Sequence, residues 1–150
     1  KFDSDGIDVL LFGGANIQGY QGVKADVVKD LFESRSPRGS TPLAEALSAC
    51  LEAAGKSDKK DFILVLTDGV PDDKVKAAEV IRNATQSMTA DDELTILFIQ
   101  VGHDAAATAY LKGLDDDLKG AKFDIVDVKT VEEAEAFATA ADLVLAAIDD

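Results

Sequence analysis

The chain has 150 residues, 47% of them hydrophobic and 29% charged, which suits one globular domain with a substantial core and excludes a disordered polypeptide. Twenty-nine acidic against fifteen basic residues give a formal charge of −14, a field that repels phosphate backbones and anionic headgroups. Nucleic acid and membrane surfaces are therefore poor partners, and cations or basic protein surfaces better ones. No apolar run reaches the roughly 20 residues that span a bilayer, the opening KFDSDGID lacks signal-peptide character, and the single Cys50 excludes an intrachain disulfide. These features together predict a cytoplasmic protein.

In chain order, the polar turn Asp3-Ser4-Asp5-Gly6 introduces a largely apolar and hence interior strand, Gly6 to Phe12, closed by Gly13-Gly14. Asn16 to Val23 alternates in polarity around two glycines and reads as a short edge strand or a loop. Ala25 to Phe32 supplies one or two helical turns with Val27, Val28, Leu31 and Phe32 inward. A Ser, Pro, Arg and Gly loop from Ser34 then breaks into a helix with Thr41 as N-cap and Pro42 as first helical residue. Leu43, Leu47, Cys50, Leu51 and Ala54 recur at helical spacing and Gly55 ends the element.

After the charged connector Lys56 to Lys60 comes DFILVLTDGVPDD, Asp61 to Asp73, whose five apolar residues Phe62 to Leu66 predict a strand buried on both faces. Asp68 stands at its carboxyl end, the rim where open parallel sheets bind ligands. Gly69 and Pro71 turn the chain into a helix capped by Asp72 or Asp73 and running from about Lys74 to Met88, with Val75, Ala78, Ile81, Ala84 and Met88 on one side. Leu94 to Val101 is a further buried strand, ending at Gly102-His103-Asp104. Ala105 to Leu118 is a helix with Ala109, Leu111, Leu114 and Leu118 inward. Phe123 to Val128 alternates Phe, Ile and Val with Asp as a last strand. Thr130 and Glu133 form a capping box for one final helix carrying Val131, Ala134, Phe137 or Ala138, Ala141, Leu145 and Ile148. The alternation predicts a single α/β domain over 1–150: a three-layer, doubly wound, mostly parallel sheet with helices on both faces.

Two loops converge on one rim, one carrying Ser40-Thr41 and the other Asp68. A hydroxyl and a carboxylate are hard oxygen donors suited to Mg²⁺ or Mn²⁺, ions that keep several waters and so need few protein ligands. Gly39-Ser40-Thr41-Pro42-Leu43-Ala44-Glu45-Ala46-Leu47, Ile63 to Asp73, Phe98-Ile99-Gln100-Val101-Gly102 and Lys122-Phe123-Asp124-Ile125-Val126 follow one another as in bacterial-type von Willebrand factor type A domains, which the chain resembles over essentially its whole length. The resemblance implies a metal-ion-dependent adhesion site. Thr41 would be its second-loop ligand and Asp68 its third-loop ligand, with Ser40, Gly69 and Asp72 in support around them.

The family's first loop, Asp-x-Ser-x-Ser after the first and central strand, has no counterpart; Asp3-Ser4-Asp5 precedes a strand and would lie at the opposite rim. The chain is thus expected to begin at the family's second strand, with the central strand supplied upstream, by another chain, or replaced by direct closure of its neighbours. The implied activity is non-enzymatic: bound Mg²⁺ offers a coordination position to a partner's carboxylate. A metal-free scaffolding domain inside a larger assembly is the alternative. A Mg²⁺-dependent phosphohydrolase fits less well, since a second Asp two residues from Asp68 is missing: Leu66 and Val70 stand there.

Blander readings accompany each residue. Thr41 caps a helix whatever else it does, Asp68-Gly69 is a common turn pair, and Asp72 and Asp73 are carboxylates favoured at a helix start. His103 has no partner ligand in sequence, Cys50 shares an apolar helix face and reads as an inert core thiol, and Asp115 to Asp117 is a solvated run without an EF-hand pattern.

Overall fold

The computed structural model describes residues 6–34, 39–55 and 59–149. The turn residues Asp3 to Asp5, the loop residues Arg35 to Arg38 and the connector residues Lys56 to Asp58 lie outside the described residues. Among the described residues five strands and six α-helices follow in the order β1 (Ile7–Gly13), β2 (Asn16–Val23), α1 (Ala25–Glu33), α2 (Leu43–Ala54), β3 (Asp61–Thr67), α3 (Lys74–Ser87), β4 (Leu94–Gln100), α4 (Ala105–Asp115), β5 (Val126–Thr130), α5 (Val131–Glu135) and α6 (Ala140–Ile148). Among the described residues no helix is long and apolar enough to cross a membrane.

The strands form two sheets. β3, β4 and β5 pair in parallel in that order, while β1 and β2 make a separate antiparallel hairpin. β4 is central, and all seven of its residues are buried. Its side chains alternate between two clusters, as the two-residue period of a strand requires. Leu94, Ile96 and Phe98 join Leu43 and Leu47 of α2, Ala77 and Ile81 of α3, and Leu111 and Leu114 of α4. Leu97 and Ile99, on the opposite face, meet Val131 and Ala134 of the α5 segment and Leu143 and Ala147 of α6. Helices therefore flank the parallel sheet on both sides, an α/β layout compatible with a Rossmann-like fold.

Burial corrects several sequence expectations, and most trace to strand position. β3 is an edge strand among the described residues, so only Val65 and Thr67 are buried, and Leu64 (50% exposed) and Leu66 (45%) face outward. β1 is not interior either: Leu11 is its one buried residue and Ile7 is 55% exposed. Asn16–Val23 is a strand after all, the partner of β1. α1 has no buried residue, and Val27 and Phe32 are largely exposed. In α3 the inward stripe is Ala77, Ile81 and Thr85, continued by Met88, while Val75 projects into solvent. Along α4 the buried residues are Ala107, Leu111 and Leu114, and Ala109 points out.

The last strand starts three residues later than its alternation suggests, and the final helix divides into α5 and α6. The capping box of Thr130 and Glu133 forms as expected. The first helix ends at Glu135 after five residues, and Thr139 starts a second, its hydroxyl accepting from the Asp142 N–H at 3.1 Å. Leu145 and Ile148, expected inward, are exposed.

Candidate functional site

Thr41 does not cap α2. Pro42 occupies the N-cap position and, with no hydrogen-bonding group on its side chain, makes no cap bond, while the Thr41 backbone is tied to the turn after β3. Its N–H donates to Asp72 Oδ1 at 2.8 Å, and its carbonyl accepts from the Asp72 N–H at 3.0 Å and from the Leu43 N–H at 2.8 Å. Residue 41 is thus clasped to the turn after β3 by reciprocal bonds, one of them to a carboxylate and so of the stronger kind. The choice of cap for α3 is thereby settled: Asp73 Oδ1 accepts from the Lys76 N–H at 2.9 Å, leaving Asp72 for Thr41. A second brace lies one turn further on, where Lys76 Nζ of α3 meets Glu45 Oε1 of α2 at 2.5 Å. That contact holds the Glu45 carboxyl below the usual carboxylate range and the Lys76 amine above its ordinary value.

Asp68 is exposed in the turn between β3 and the Asp72 clasp, and no hydrogen bond engages its carboxylate among the described residues. Gly69 accepts a long bond from Thr67 Oγ1 at 3.4 Å. Ser40 is exposed, and its carbonyl accepts from the Gly14 N–H at 2.9 Å, which ties the end of the β1 hairpin to the same loop. Gly39 makes that approach feasible: its φ is +90°, and a Cβ there would sit 3.2 Å from the Gly14 Cα. The structure therefore gathers Ser40, Thr41 and Asp72 in one hydrogen-bonded rim and sets Asp68 and Gly69 on the turn leading into it.

The donors fit a hard divalent cation in kind, since a hydroxyl and a carboxylate are what Mg²⁺ and Mn²⁺ take. In number they fall short of a protein-built cage: among the described residues no group of three or more His, Cys, Asp or Glu could hold a metal. His103 is exposed on the loop after β4, with Nε2 3.7 Å from Glu132. Cys50 is half-buried on α2, and burial pushes its thiol pKa up, which makes it a poor nucleophile. The Asp115 to Asp117 run borders an open concavity of about 290 Å³ together with Lys119, Phe123 and Asp124, none of them a rim residue.

One residue of consequence escapes the sequence pattern. Asp127 is the second residue of β5 at 2% exposure, opposite Leu97, whereas alternation would turn it to solvent. Its Oδ1 takes a 2.6 Å contact from Lys129 Nζ, and its Oδ2 is buried with no hydrogen-bond partner among the described residues. The signal available in sequence is the Asp-x-Lys spacing, which puts opposite charges on one face of a strand.

A scan against protein-family models and a search of curated proteins each find no match to this chain.

Proposed function

We propose that the chain is a protein-binding module of the von Willebrand factor type A kind, in which Thr41 and Asp68 hold Mg²⁺ or Mn²⁺ at the C-terminal rim of the parallel sheet. The bound ion would offer a coordination position to a carboxylate of a partner protein, with water completing its shell. The reciprocal bonding of Thr41 and Asp72 carries this reading, because it fixes the loop of the hydroxyl donor against the turn that presents the carboxylate donor. Asp68 is exposed and, among the described residues, unengaged by hydrogen bonds, which leaves its carboxylate free to take a cation.

The test is Mn²⁺ binding followed by water-proton relaxation for the parent chain, Asp68→Ala and Thr41→Ala. A loss of at least tenfold in affinity is expected for each. Equal binding by all three would sink the proposal.

A second reading has its own support. Leu64, Leu66, Leu145 and Ile148 are exposed apolar side chains on β3 and α6, which suits a metal-free domain packed within a larger assembly. The phosphohydrolase reading gains nothing comparable: the positions two residues either side of Asp68 are aliphatic.

A further inference from the structure

The turn after β3 is bonded at both ends and unbonded in its middle. The Thr67 carbonyl accepts from the Val101 N–H at 2.8 Å, and Asp72 is clasped to the Thr41 backbone. Asp68 and Gly69 lie between these anchors. Among the described residues the Asp68 carboxylate accepts no hydrogen bond and the Gly69 N–H donates none, since the long contact from Thr67 Oγ1 reaches the Gly69 carbonyl alone. Neighbouring carboxylates are occupied instead: Asp72 by the Thr41 N–H, Asp73 by the Lys76 N–H and Asp104 by the Ala107 N–H.

An aspartate followed by glycine sets a carboxyl carbon beside an amide nitrogen that no side chain shields, on a residue whose backbone turns freely. At Gly69 the surroundings supply no shield either, because a Cβ built there would meet nothing within 4 Å. The chain's other Asp-Gly pair, Asp5-Gly6, has its aspartate outside the described residues.

We infer that Asp68-Gly69 is a self-modifying site, at which the folded protein converts Asp68 to isoaspartate with water as the only reagent. The Gly69 nitrogen attacks Asp68 Cγ and a C–N bond forms. One carboxyl oxygen leaves as water, carrying the amide proton and a proton from solvent. A second water opens the resulting cyclic imide, either at Cγ, which restores aspartate, or at the backbone carbonyl carbon of Asp68, which leaves Cγ as the main-chain link. The carboxylic acid so formed returns its proton to solvent, and no net oxidation or transfer has occurred. In the converted chain the carboxylate springs from Cα and the turn is one methylene longer. That carboxylate is a substrate for a carboxyl-methylating enzyme with a sulfonium methyl donor. The anchors at Thr67 and Asp72 involve neither reacting group, so the fold does not oppose the change. The inference does not depend on the metal reading.

The test is to hold the 150-residue chain in warm neutral buffer with EDTA and follow isoaspartate by enzymatic methyl labelling, with its position fixed by fragmentation of the peptide Asp61 to Lys74. A capped peptide of residues 66–71 sets the rate of an unfolded chain. Asp68 in the folded protein should convert within tenfold of that rate. Gly69→Ala should convert at least tenfold more slowly while keeping the parent's circular dichroism, because the φ of Gly69 is not positive and the new methyl enters open space. Asp68→Asn forms the same imide with ammonia leaving in place of water and should yield isoaspartate at least tenfold faster than the parent. Conversion more than tenfold slower than in the peptide, label confined to Asp5, or equal label in the parent and Gly69→Ala would overturn the inference.

Discussion

Replacing Lys129 by methionine should destabilise the protein far more than a lysine-to-methionine change on a surface. Asp127 is 2% exposed, one of its oxygens has no hydrogen-bond partner among the described residues, and the other is held by Lys129, itself only 22% exposed. Removing one member of a buried ion pair leaves the other uncompensated, at a cost of about 3–5 kcal/mol. For a domain of this length each kcal/mol shifts Tm by about 2–4 °C, so the lower end of that cost corresponds to a fall of about 6–12 °C. The double variant Asp127→Val/Lys129→Met leaves no uncompensated buried carboxylate and should recover to within about 1 kcal/mol of the parent. Urea unfolding followed by circular dichroism measures both. A loss below about 0.5 kcal/mol for Lys129→Met, or a double variant no better than the single, would refute the reasoning.

Phe98 is fully buried at the centre of β4, so Phe98→Ala should cost about 3–5 kcal/mol in the same assay, whereas Val75→Ala, at a side chain 68% exposed, should stay within about 0.5 kcal/mol. Thr130→Ala removes the hydroxyl that accepts the Glu133 N–H and should cost about 1 kcal/mol. Tyr110 has its pKa pushed up to about 12, first by burial and then by the charge of Asp73. A phenol whose folded pKa exceeds its unfolded value of 10.0 contributes stability that is complete below pH 10 and lost as pH rises towards 12. Stability of the parent should therefore fall across that window more steeply than that of Tyr110→Phe, as measured by urea midpoints at successive pH values.

What sequence revealed and what it concealed divide along physical lines. β4 was legible because an unbroken run of apolar residues bounded by turn signals has few alternatives, and the capping box at Thr130 because it depends on four residues alone. The exposure of Leu64 and Leu66 was not: an apolar run does not say whether its neighbours are present, and β3 turned out to sit at an edge. On α3 the periodicity placed Ile81 and Met88 in the core and Ala78 and Ala84 against it, but it missed the fully buried Ala77 and Thr85 and turned Val75 inward, which projects into solvent. At the rim, local preference favoured Thr41 as a cap, and a bond to Asp72, thirty-one residues away, took the backbone instead. The buried Asp127 went unseen because strand alternation assigns a charge to solvent unless a partner two positions along is considered with it.

β4 also has a consequence for how the polypeptide survives its own synthesis. Leu94 to Gln100 is seven residues without a charge, a proline or a glycine, and in the finished molecule every one is shielded from water. A nascent or heat-opened chain displays that segment bare, and segments of this composition stack readily with copies of themselves. Asp91, Asp92 and Glu93 stand directly before it and supply like charges that hinder such stacking from one end only. Recovery after heating should accordingly depend on protein concentration, with loss of material governed by how long this one ribbon stays unsheathed.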